Sequence, residues 1–241
     1  MKALVIITSA IMVDGHDVDL RLMQTLHTID SIKLRIPNSE IWLCDSSTKP
    51  LPNYMLNSLT GVKLIPFYND NKIHSIKDYS NNCNLPAEEN IIEFYRLGLL
   101  KNLTEIYVLN TIFSKIDPSK YDRIFKISGR YFLTDDFNLE KHNNYGKINL
   151  TKLRKSRLEK FTESKYFRTC VTYNFCTSLF NEIKESFLNI EKYIQNKSKN
   201  NGLADIEHGL ALFIPDDIIH QIDLIGICGK VNSVIGGMHY E

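Results

Sequence analysis

The five cysteines of this chain, Cys44, Cys83, Cys170, Cys176 and Cys228, are odd in number and never stand in a Cys-x-x-Cys spacing. That argues against a thiolate zinc site or a redox pair, and they read as small buried apolar residues of a reducing compartment. A Gly-x-Gly-x-x-Gly turn is missing after the first apolar run, and so is a Gly-x-x-x-x-Gly-Lys-Ser/Thr loop. Dinucleotide dehydrogenases, P-loop enzymes and other nucleotide enzymes that need a glycine-rich phosphate cradle are thereby disfavoured. Charge of one sign is lacking too: 29 Lys and Arg face 28 Asp and Glu, a net of +1. The whole-molecule field gives no pull toward nucleic acid or an acidic membrane, so any such partner must use a local patch. No segment reaches the roughly 18 apolar residues of a membrane span. Repeats and low-complexity linkers are absent as well.

What is present fits one α/β domain. At 241 residues the chain is long enough to bury roughly three quarters of its unfolded surface. The opening MKALVIITSAIMV has a single charge and no clear small-x-small site before Asp14. It reads as a buried strand with its exit loop rather than a signal peptide, and the expected location is cytoplasmic. Residues 3–9 (ALVIITS) form the continuous apolar run of a strand buried on both faces. Leu22, Leu26, Ile29, Ile32 and Ile36 then recur at helical spacing over 18–36, Pro37-Asn38 breaks that helix, and 40–44 (EIWLC) is a second strand. This βαβ unit predicts a parallel pair.

A third strand is expected at 62–67, and a flexible polar loop over 69–85. A helix starts at Pro86 and runs to about Lys101, with further helix near 103–114. Later come an amphipathic helix over 178–197, a loop from Lys197 to Gly202, a helix from Asp205 to Phe213, and an apolar strand over 218–228.

The run IFKISGRYFL at 124–133 begins like a buried strand but carries Lys126, Ser128 and Arg130 at alternate positions, on one side near a strand end. In an open parallel sheet, ligands sit beyond the C-terminal ends of the strands. That rule gathers Thr8-Ser9, Asp45-Ser46 and Ser128-Gly129-Arg130 at one edge. An acid after the second strand suits a ribose diol, so Asp45 points to a nucleotide; its other reading is a turn built by Asp45-Ser46-Ser47. Arg130 can hold phosphate oxygens bidentately, or pair with Asp135 or Asp136.

The stretch RLMQTLHTIDSIKLRIPNSEIWLCDSS resembles the start of GT-A type glycosyltransferases, in which an acid ending the second strand holds the nucleotide. KISGRYFL, DIEHGLALFI and IGICGKVNSVIGG are similar to uncharacterised bacterial and viral members of that class, and the resemblance spans nearly the whole chain. It implies a Rossmann-like, mostly parallel sheet flanked by helices, with a nucleotide-binding half over 1–135 and an acceptor-binding half over 136–241. It also implies a UDP- or GDP-sugar donor, a glycan acceptor and a role in polysaccharide biosynthesis. The family usually ends its fourth strand with an Asp-x-Asp that chelates a divalent ion such as Mn or Mg. Here that position reads Ser128-Gly129-Arg130, which puts the metal in doubt and lets Arg130 supply the charge instead. Asp135 and Asp136 are a displaced metal pair or simply turn acids.

An inverting sugar transfer needs a base for the acceptor hydroxyl. Glu207, with Asp205 next, occupies the family's acidic motif, the alternative being acids that complement a helix N-terminus. Helical positions two apart point in different directions, so only one of them should face the sugar. His239, after Gly236-Gly237, resembles a late His that touches the metal or diphosphate. His208 reads as surface or core filler. Residues 147–168 hold eight Lys or Arg against Glu159 and Glu163. That stretch is a solvated face or a steering patch for an anionic acceptor, and it motivates an alternative in which the chain is a non-catalytic module binding polyanions or nucleic acid.

Overall fold

The run 3–9 becomes the centre of a sheet because both of its faces are covered. In β1 (Ala3–Ser9), Leu4 and Ile6 enter one core while Ala3, Val5 and Ile7 enter another on the opposite side. The computed structural model describes residues 1–83, 89–156, 158–162, 164–200, 202–223, 225–230 and 238–240, with the backbone alone at 89–94, 160–161, 230 and 238–240.

After β1 come α1 (Val18–Arg35), β2 (Glu40–Asp45), α2 (Asn53–Ser58), β3 (Lys63–Pro66), α3 (Asn71–Asn82) and α4 (Glu89–Phe113). β4 (Arg123–Ser128), β5 (Tyr131–Leu133), β6 (Ile148–Thr151), β7 (Arg154–Lys155), α5 (Glu159–Thr162), β8 (Tyr166–Phe167) and β9 (Thr172–Cys176) follow. The chain closes with α6 (Phe180–Lys199), α7 (Ile206–Phe213), β10 (Ile219–Ile222), β11 (Ile227–Lys230) and β12 (Met238–Tyr240). The main sheet has seven strands in the order β10-β6-β9-β4-β1-β2-β3. β3, β2, β1 and β4 are parallel, β9 runs against β4 and β6, and β10 is parallel to β6. A smaller antiparallel sheet joins β12, β11 and β5. The architecture is therefore mixed α/β with a mostly parallel central sheet between helices. One core lies under α4, α6 and α7; the other lies under α1 and α2.

Local chemistry sets the boundaries. α1 starts at Asp17, whose carboxylate accepts the Leu20 N–H, and buries Leu22, Ile29 and Ile32. α7 packs on α6 through Gly209, where an added Cβ would fall 2.6 Å from Ile190 Cγ2. Gly226 takes φ +77° at the entry to β11, a conformation that L side chains avoid.

Several expectations need correction. The polar stretch expected as a loop over 69–85 holds a helix, α3: Asp70 caps it by accepting the Lys72 N–H, and Ile76 and Ser80 are buried, so a narrow apolar stripe was enough; residues 84 and 85 lie outside the described residues. The two helices expected at 86–101 and 103–114 are one, α4; its expected start at Pro86 lies outside the described residues. The helix expected to end at Lys197 runs to Lys199. The single strand expected over 218–228 is two, β10 and β11, which belong to different sheets. The basic stretch is broken among β6, β7, α5 and β8, and some of its charge is spent inside the fold. Arg168 is buried and donates to Thr151 O at 2.6 Å, and Lys147 Nζ donates to Asp217 O at 2.6 Å.

Candidate functional site

Strand register brings the expected edge together. Thr8 lies opposite Ser128 and Ser9 opposite Asp45, so the C-terminal ends of β1, β2 and β4 are neighbours. Alternation then sends the side chains to opposite layers. Thr8 Oγ1 donates to Glu105 Oε1 of α4 at 3.1 Å, while Ser9 Oγ meets Thr25 Oγ1 of α1 at 3.1 Å. Ser46 donates both its backbone N–H and its hydroxyl to Ser9 O, at 2.8 and 3.1 Å. Gly129 is buried against β1: its N–H donates to Thr8 O at 2.8 Å, and a Cβ there would sit 3.0 Å from Ser9 Cβ.

Two of the expected ligand residues are committed elsewhere. Asp45 is 2% exposed; its oxygens accept the Ile11 N–H at 3.0 Å and the Ser47 N–H at 3.4 Å. Burial pushes its pKa up, with the bonds from Ser47 and Ile11 opposing. The Asp45-Ser46-Ser47 turn is thus a clamp on the loop after β1, which Ser47 and Thr48 extend by bonding Met12. No carboxylate oxygen is left at the surface for a diol. Lys126, 1% exposed, is sealed beneath the edge: its ammonium pairs with Glu105 and donates to Ser128 Oγ at 3.0 Å and Cys170 O at 2.7 Å. It shares a face with Ile124 rather than pointing into solvent. All three of its protons have acceptors.

Arg130 differs from both. It sits half-buried in the turn between β4 and β5, and among the described residues no acid pairs with it. Asp135, its expected partner, pairs with Arg35 at the end of α1 instead, and Asp136 is exposed. The cations Arg21 and Lys101 and the imidazole of His16 lie within electrostatic reach of Arg130. Arg21 donates to Ala10 O at 2.7 Å, which holds the loop after β1, and burial and then Arg130 lower its pKa.

Lys101 is exposed, and its pKa is held above the ordinary lysine value. The groups that raise its pKa are Cys170, Glu105 and Glu207, against burial and Arg130. Burial holds the Cys170 thiol protonated, so at neutral pH the two carboxylates do this work. Burial alone would raise the Glu105 carboxyl, but Lys126 and Lys101 bring it below its ordinary value.

α7 separates its two acids as helical geometry requires. Asp205 is the N-cap: Oδ1 accepts the His208 N–H at 2.8 Å and meets His208 Nδ1 at 2.7 Å. His208 is buried and its Nε2 reaches Ser156 Oγ at 2.7 Å, so it is a connector rather than filler. Glu207 turns the other way, half-buried, with Oε1 3.5 Å from the Cys170 N–H and Lys101 in reach. His239 lies on β12 opposite Gly229, and its side chain is outside the described residues.

The residues that sequence reasoning missed are His16, Arg21, Lys101 and Glu105. A signal for the last two existed: in the stretch LGLLKNLTEIYVLNTIF they are the only charges, spaced i, i+4.

A divalent ion does not fit this donor set. At the end of β4 the chain has a hydroxyl, a glycine and a guanidinium, Ser128-Gly129-Arg130, with the cation Arg21 in electrostatic reach, rather than a pair of carboxylates. Among the described residues no three His, Cys, Asp or Glu side chains are grouped for a metal.

No protein-family model matches the sequence, and no curated protein matches it. Solved structures do. Mouse xyloside xylosyltransferase 1, in its apo form, is 6% identical, with a TM-score of 0.51 over 92% of this chain and 86% of that one. The galactosyltransferase LgtC, in complex with donor and acceptor sugar analogues, is 8% identical, with a TM-score of 0.47 over 92% of this chain and 73% of that one. The backbone carries what the sequence cannot: this chain has the fold of the GT-A glycosyltransferases.

Proposed function

We propose that the chain transfers a sugar from a nucleotide-sugar donor, UDP- or GDP-linked, to a hydroxyl of a saccharide or other glycan. The observation that carries the reading is Arg130, a guanidinium with no acid partner among the described residues, at the edge where β1 and β4 end and within electrostatic reach of Arg21. Two like charges brought together in a partly dry site favour an anion between them. A diphosphate has the charge and the bidentate oxygens to fill that place.

In this reading the first half of the chain, 1–135, holds the donor and the second, 136–241, holds the acceptor. Arg130 and Arg21, with Lys101 at the far side, bind the diphosphate and stabilise the charge it gains as the glycosidic bond breaks. Glu207 takes the proton of the attacking hydroxyl, which suits an inverting transfer. Asp205 positions α7 through its cap and His208. The guanidinium pair supplies the charge that a chelated cation brings elsewhere.

Hydrolysis or transfer from a panel of UDP-, GDP- and CMP-sugars, with EDTA or with manganese, tests the reading. Turnover of one donor in EDTA supports it; no turnover and no thermal shift with any nucleotide counts against it. The fold likeness favours this over a non-catalytic polyanion module.

A further inference from the structure

The loop between β1 and α1 is held at many points: by Arg21 at Ala10, by Asp45 at Ile11, by Ser47 and Thr48 at Met12, and by Lys49 at Asp14. It presents His16, whose N–H closes a turn onto Val13 O at 3.2 Å and whose side chain is exposed. The charged groups that act on His16 from the adjacent elements are Arg21 of α1 and Arg130 of the β4–β5 turn, both cations. The acids of its own loop are engaged: Asp14 with Lys49, Asp17 with the Leu20 N–H.

We infer that His16 is the third arm of the diphosphate cage and takes up a proton when the donor binds between Arg21 and Arg130. The inference rests on the reading of the site as a diphosphate site. Partial burial, then Arg21 and Arg130, hold the imidazole below its ordinary pKa of 6.5, so in the free protein it is neutral at neutral pH. A diphosphate inserted among these groups replaces net repulsion with attraction, and a second ring proton becomes a second donor to its oxygens. During transfer the acceptor oxygen bonds to C1 as the bond from C1 to the β-phosphate oxygen breaks with its electron pair on that oxygen, the acceptor proton passes to Glu207, and the imidazolium of His16 keeps its proton while bonding the leaving group. When the nucleoside diphosphate departs, that proton returns to solvent.

Calorimetry with UDP-glucose and GDP-mannose in EDTA tests this, since their diphosphate diesters do not titrate near neutral pH. At pH 7, comparing two buffers of unlike ionisation enthalpy reads the protons taken up. The wild type should take up a substantial fraction of one proton per nucleotide sugar bound. Its affinity should fall with rising pH, by at most about tenfold per pH unit. His16→Gln should fold as the wild type does, bind about three- to tenfold more weakly at pH 6.5, and show no uptake. Binding with no uptake, or equal uptake in His16→Gln, overturns the role of His16 and leaves the diphosphate site standing. Failure of the wild type to bind either nucleotide sugar overturns both.

Discussion

Lys126 and Glu105 form a buried ion pair directly beneath the edge where β1 and β4 end, with side chains 1% and 9% exposed. The pair joins the sheet to α4, because Glu105 also accepts Thr8 Oγ1 and Lys126 also reaches Ser128 Oγ and Cys170 O.

Removing one partner should therefore cost more than removing both. Glu105→Ala leaves an uncompensated ammonium and should lower stability by about 3–5 kcal/mol, whereas Glu105→Leu with Lys126→Met should cost far less. Urea unfolding measures both. The Glu105 pKa lies below its ordinary 4.5 in the folded state, so its contribution is present above pH 4.5 and is lost as the pH falls through the folded value. The wild type should lose stability over that acid range more steeply than the double variant.

Asp45 should prove to be scaffold. Asp45→Asn keeps an acceptor for the Ile11 N–H, and its affinity for nucleotide sugars should stay within about threefold of the wild type. Asp45→Ala strips the acceptor and should cost about 1–3 kcal/mol of stability. Calorimetry and thermal unfolding of the two variants check this; a collapse of binding in Asp45→Asn with an intact fold would restore a ribose-binding role.

The acids of α7 should separate by phenotype. Glu207→Gln should lower kcat by about 10²- to 10⁴-fold with donor affinity unchanged. Asp205→Ala should instead lose about 1–2 kcal/mol of stability, the value of a lost cap. Kinetics at saturating donor, together with unfolding curves, distinguish the two.

Gly209→Ala tests the approach of α7 to α6. With Ile190 Cγ2 only 2.6 Å from the new Cβ, the helices must shift, costing about 1–3 kcal/mol. Because α7 carries Glu207, kcat should fall as well, while the affinity for donor should not.

The sheet was legible where one physical rule dominates. ALVIITS could only be a strand covered on both faces, and EIWLC ends within one residue of its expected boundary. The polar helix α3 was hidden because only Ile76 and Ser80 are buried in it, too thin a stripe to read against the Asn and Lys around it. Within the site, sequence order could gather Thr8, Ser46, Ser128 and Arg130 at one edge, but it could not tell which polar groups face inward. Asp45 and Lys126 looked as available as Arg130, and only the positions of Ile11, Ser47 and Glu105 distinguish them. Arg21 was invisible for the converse reason: it arrives from a helix whose packing decides what reaches the strand ends.

The central claim is that guanidinium groups, not a chelated cation, neutralise the diphosphate. Its most direct measurement is calorimetric binding of UDP and GDP in EDTA, for the wild type and for Arg130→Ala. One nucleotide should bind without metal, and the substitution should weaken it by about ten- to a hundredfold, the size of a charged hydrogen-bonding pair. Binding that requires manganese, or that Arg130→Ala leaves unchanged, would contradict it.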